Sequence, residues 1–144
     1  FTIVAFLYAV ALYGFNSFPL NSGWLPMLSA LFLLVIASQA AGIFMIGGLP
    51  TFRLGVYSAC LLGMIAFSFV GFSFPVLGMD PTLQALSNLF PLRHYFLIYV
   101  DQALNGRPFF YSWAEYAWLM GFLVLPFLIG KNLKNALLYF KYIP

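Results

Sequence analysis

From Trp24 to Gly48 the chain reads WLPMLSALFLLVIASQAAGIFMIGG, a run whose polar positions are too few to define a second face. Its eleven Leu, Ile, Val and Phe residues contribute about −3 to −7 kcal/mol to membrane insertion on a per-residue scale. Only Gln39 and two serines oppose them, so this stretch is expected to span a bilayer. A second run, Leu54 to Phe72, has the same character, and a third begins at Trp113 and reaches Gly130, with Pro126 expected to kink it. A shorter one, Phe1 to Phe15, closes on the turn-prone NSFPLNSG. Fifteen helical residues cover about 22 Å of a ~30 Å hydrocarbon core, so this first span is expected to be truncated and completed by residues upstream.

Composition strengthens the pattern. The chain of 144 residues is 64% hydrophobic and 6% charged, against roughly 25% charged in an ordinary soluble domain. No charge occurs from Phe1 to Phe52, nor from Leu54 to Met79. The fold class expected is therefore all-α: a polytopic membrane helix bundle, a single transmembrane domain over 1–144 with spans at about 1–15, 24–48, 54–72 and 113–130. The net charge of +3 comes mainly from Lys131, Lys134 and Lys141. Such a cluster beyond a span is a topology signal, which disfavours nucleic acid as a partner. With Arg53 in the turn between the second and third spans, the positive-inside rule places Arg53 and the C-terminus in the cytoplasm and residues 73–111 outside. Cys60, alone in an apolar run, is expected to act as a small packing residue. The pairs Ala37/Ala41, Ser38/Gly42 and Ala59/Gly63 have the spacing of close helix packing.

The outer segment holds most of the chemistry. Leu86 to Asn105 fails as a fifth span: Arg93 and His94 would sit near the bilayer centre, where an arginine costs about +2.5 to +3.5 kcal/mol. Pro91 also divides the window. Two short amphipathic outer helices are expected instead, at about 81–90 and 91–105, re-entrant or lying in the interface. Asp80 and Pro81 suit the N-cap and first position of one, and Gly106 suits the stop of the other. Arg93, His94 and Asp101 are candidates for a proton relay, and for a translocation path if the chain is a transporter, weighed against simple anchoring at the interface and mutual pairing. Phe74 and Pro75 are a candidate outer gate, weighed against a plain turn. Gln39 is a candidate path residue, weighed against an interhelical hydrogen bond. Glu115, three residues after Ser112, reads as a helix cap.

The blocks Gly71-Phe72-Ser73-Phe74-Pro75, Met79-Asp80-Pro81, Leu86-Ser87-Asn88-Leu89-Phe90-Pro91-Leu92-Arg93-His94-Tyr95 and Ala103-Leu104-Asn105-Gly106 resemble the segment before the last membrane helix in type-2 ATP-binding-cassette (ABC) transporter permeases. The resemblance implies that the four spans are the third to sixth of such a subunit, in a bacterial inner membrane, with two outer helices re-entering before the last. It further implies an exporter that pairs with a second permease copy or a paralogue and with a cytoplasmic ATP-binding subunit. ATP and Mg²⁺ would then sit on that subunit, and the chain itself would carry no cofactor, metal or catalytic residue. Consistently, Gly130-Lys131 is followed by Asn132 and lacks the upstream glycine of a phosphate-cradling loop. Two other classes remain open: an ion-coupled secondary transporter with His94 and Asp101 as carriers, and a membrane-embedded lipid-modifying enzyme, for which no HExxH-like or paired-acid set exists.

Overall fold

The computed structural model describes residues 2–15, 21, 23–71 and 78–138. Within them the chain is all-α: α1 (Thr2–Phe15), α2 (Trp24–Gly48), α3 (Phe52–Phe69), α4 (Pro81–Ser87), α5 (Pro91–Ile98), α6 (Trp113–Phe122) and α7 (Leu125–Leu138). Three stretches, Trp24–Gly48, Phe52–Phe69 and Trp113–Gly130, are long and apolar enough to cross a membrane, with mean hydropathies of 2.2, 1.6 and 1.4. They mark a multi-pass membrane protein. The apolar part of α1, Thr2–Leu12, is shorter.

The large apolar side chains lie mostly outside. Leu25, Met64 and Phe127 are 82%, 73% and 83% exposed, an arrangement that hydrocarbon tolerates and water does not. The interior is small. Ala30 and Ala37 of α2, Ile98 of α5, and Tyr116 and Leu119 of α6 form the buried cluster, and α2 is the central helix, packing on α1, α3, α5, α6 and α7.

Several boundaries have local causes. Thr51 caps α3, its Oγ1 accepting from Leu54 N–H at 3.3 Å, so the helix starts two residues before the expected Leu54 and ends at Phe69. Pro81 and Pro91 open α4 and α5, where a missing N–H costs nothing. Asp80 precedes α4 as expected, but its backbone carbonyl accepts from Leu83 and Gln84, and its side chain makes no cap bond. Helix α5 continues as a wider π-helical turn over Tyr99–Leu104, closed by Asn105 N–H on Val100 O at 3.1 Å. Gly106 then turns the chain with φ +63°, the left-handed stop expected of it.

The last span is broken rather than gently kinked. Pro126 has no N–H to offer Phe122, and the turn at Leu123–Val124 is held by shorter bonds, Leu123 N–H to Met120 O and Val124 N–H to Gly121 O. Helix α7 then runs past Gly130, the expected end, to Leu138, since one helical glycine costs only about 1 kcal/mol.

Two pairs of contacts align the ends of the bundle. Asn21 donates its N–H to Ala103 O (3.2 Å) and its Nδ2 to Leu104 O (2.9 Å), tying the start of α2 to the end of the π-helical turn. At the other end Ile129 of α7 packs against Gly48, beside the Arg53 turn.

The small-residue pairs resolve differently. Ala37 is buried, but a Cβ added at Gly42 or Gly63 would meet nothing within 4 Å. The close approach of α2 and α3 is instead at Gly55, where an added Cβ would stand 2.8 Å from Ile46 Cα. The two helices touch near the Arg53 turn and diverge away from it. Cys60 is exposed on α3, so it is not a packing residue within this chain.

Candidate functional site

The divergence of α2 and α3 leaves room that the α4–α5 hairpin enters. Pro91 forces Phe90 into an extended conformation (φ −104°, ψ 126°), which ends α4 and reverses the chain. The hairpin tip, Asn88 to Leu92, lines a cavity of about 660 Å³ with Ser38 to Met45 of α2, Ala59 to Ala66 of α3 and Trp118 to Leu125 of the last span. Those stretches cover the middle of α3 and of the last apolar span and the C-terminal half of α2. The hairpin therefore reaches mid-depth relative to them, and does not lie only at their outer ends.

His94 stands one turn behind that tip and is 2% exposed. Its Nδ1 is 2.5 Å from Glu115 Oε2, and its Nε2 is 2.8 Å from Asn88 O. A carbonyl oxygen only accepts, so Nε2 carries a proton; a second proton lies between Nδ1 and the carboxylate. The His94 ring stacks on Trp118 (centroids 5.5 Å, planes 10° apart) and tilts against Phe122 at 6.2 Å, and both of those aromatics face the cavity.

Arg93, His94 and Asp101 do not pair with one another. Arg93 Nε donates to Asn88 Oδ1 at 3.1 Å. Asp101 faces Arg107 at 3.5 Å, and the Arg107 guanidinium lies over the Tyr111 ring at 5.7 Å. That pair is largely exposed, which limits what it contributes. Glu115 is the corrected reading: its side chain does not cap α6, and its carboxylate goes to His94. In sequence, Ser112 and Glu115 mimic a capping box. The available signal was that the only histidine needs a partner if it enters an apolar bundle.

A second polar group sits higher in the bundle and was not foreseen. The Tyr116 hydroxyl lies 3.0 Å from Pro26 O and 3.3 Å from Gln102 Oε1. Gln102 is fully buried because the π-helical turn rotates it inward, and its Nε2 and the buried Ser112 Oγ have no partner among the described residues. Gln39 is exposed on α2 and makes no hydrogen bond among the described residues, so the expected interhelical bond is not made among them. Phe74 and Pro75 lie outside the described residues. No cluster of three His, Cys, Asp or Glu residues that could hold a metal occurs among the described residues.

No family model, no curated protein and no solved structure matches the chain.

Proposed function

We propose that the chain is the C-terminal part of a permease subunit of an ATP-driven ABC exporter, helping to form its translocation pathway in a bacterial inner membrane. The observation that carries this reading is the α4–α5 hairpin, whose proline-divided tip enters the bundle between α3 and the last apolar span. That is the order of parts the resemblance in the Gly71 to Gly106 region implies. Gln39 supports a second permease copy: a polar side chain mid-way along an apolar helix, exposed and without a partner among the described residues, gains from burial against another helix. Energy then comes from a separate cytoplasmic subunit that binds ATP and Mg²⁺, and the chain is not itself an enzyme. The test is purification of the full-length parent in mild detergent. A stoichiometric ATPase subunit in the complex is the expected result, and its reproducible absence overturns the proposal.

A second reading, an ion-coupled secondary transporter, is favoured by the His94–Glu115 pair, two ionisable groups joined at the start of the last apolar span. Transport in reconstituted vesicles separates the two. An exporter works with ATP after an uncoupler has collapsed the proton gradient; a proton-coupled carrier stops there and stops in His94→Gln.

A further inference from the structure

Arg93 has no anion of its own. The chain has three side-chain carboxylates: Glu115 engages His94, Asp101 engages Arg107, and Asp80 makes no ion pair. The guanidinium is half-buried and is held to the hairpin tip by one bond, Nε to Asn88 Oδ1. That leaves the Nη groups free to donate among the described residues. A cation on a hairpin that enters an apolar bundle is expensive in hydrocarbon unless a counter-ion accompanies it. The positive end of the α5 dipole points the same way.

Next to it lies the 660 Å³ cavity, which Arg93 itself does not line but its hydrogen-bond partner Asn88 and its chain neighbour Leu92 do. That volume is within the range of small-molecule sites. Its walls are almost wholly apolar, and its width comes from Gly42, Gly63 and Gly121, at none of which an added Cβ would touch anything. Water gains little in such a space. Outside the three long helices the surrounding medium is hydrocarbon.

We propose that Arg93 and this cavity form one binding site for an anionic amphiphile: the guanidinium takes a carboxylate or phosphate head, and the cavity takes a single acyl chain. The charge of Arg93 selects the head, and the glycine-lined space selects a flexible, unbranched tail over a bulky ring system. The site rests only on the membrane-embedded fold, so it stands whether or not the chain proves to be part of an exporter.

The full-length protein is reconstituted in phosphatidylcholine vesicles, without ATP or any ATPase subunit, and exposed to trace diazirine-bearing palmitic acid. Labelled peptides are then mapped after illumination. Label is expected on Ala41–Met45, Ala59–Ala66 and Trp118–Phe122. Arg93→Gln lowers it about tenfold, the loss of one charge-assisted contact, and Arg93→Lys restores most of it. The double variant Gly63→Leu/Gly121→Leu, which fills the space without a backbone clash, abolishes it. The same probe with an alcohol head is insensitive to Arg93→Gln. Displacement of the label by phosphatidylglycerol identifies a phospholipid as the natural occupant, and resistance to it identifies a free fatty acid; both support the site. Equal labelling of wild type, Arg93→Gln and the filled variant overturns it, as does label confined to outward residues such as Phe127 and Leu128.

Discussion

His94 and Glu115, twenty-one positions apart in the chain, meet at 2.5 Å, Nδ1 to Oε2, and so fasten the hairpin to the last apolar span. The same imidazole reaches back to Asn88 O, closing the hairpin on itself. One side chain therefore fixes both the fold of the α4–α5 turn and its seat in the bundle. Any motion of the hairpin relative to α6 must break this contact and slide the ring off Trp118.

Replacing Glu115 tests how much the link holds. Glu115→Ala leaves Nδ1 of a buried imidazole unpaired and should destabilise the protein by about 1–3 kcal/mol. Glu115→Gln can donate its amide hydrogen to Nδ1 of a neutral imidazole, so it should cost less than about 1 kcal/mol. Unfolding in mixed micelles, followed by the fluorescence of Trp118 against a Trp118→Phe control, gives both values. Equal losses for the two substitutions would show that charge, and not the hydrogen bond, holds the pair.

Two glycines eight residues apart on α3 should respond in opposite senses. At Gly55 an added methyl meets Ile46 Cα at 2.8 Å, and backbone atoms cannot step aside, so Gly55→Ala should cost about 1–3 kcal/mol by overpacking. At Gly63 the same methyl enters open space, and Gly63→Ala should be neutral or stabilise by up to about 1 kcal/mol through helix propensity. Thermal unfolding in detergent compares them. A Gly63→Ala variant as damaged as Gly55→Ala would mean that α2 and α3 close together along their whole length.

Sequence made the long helices readable because bilayer insertion depends on summed hydropathy, a property of each segment alone. That is why Trp24–Gly48 and Phe52–Phe69 lie where the apolar runs put them, and why Pro81, Pro91 and Gly106 mark real boundaries. Pairing between segments carries no such local signal. Ser112 and Glu115 have capping-box spacing, yet the carboxylate turns away to an imidazole that only the folded hairpin brings near. Gly42 and Gly63 have the spacing of tight packing, yet they border a cavity, because the hairpin tip holds α2 and α3 apart. For the hairpin the sequence left two readings open, re-entrant or interfacial: charge counts argue against a full span at Leu86 to Asn105 but do not choose between a helix pair that enters half-way and returns and one that lies on the surface.

The sidedness of the bundle is the last prediction. Asn21 is bonded to Ala103 and Leu104, whereas Gly48 packs against Ile129 at the opposite end, so the α5 terminus and the Arg53 turn are far apart. Basic residues concentrate at the Arg53 turn and from Lys131 onward, in and after the second half of α7, an end that by the positive-inside rule belongs in the cytoplasm. Asn105, exposed beside the Gly106 turn, should then face outward. In a Cys60→Ser background, needed because Cys60 is exposed, a membrane-impermeant maleimide applied to intact cells should label Asn105→Cys and leave Asn135→Cys unlabelled until the membrane is opened. The reverse pattern would invert the bundle and place the α5 terminus on the cytoplasmic face, where a re-entrant hairpin would open toward an ATPase subunit instead of toward the exit.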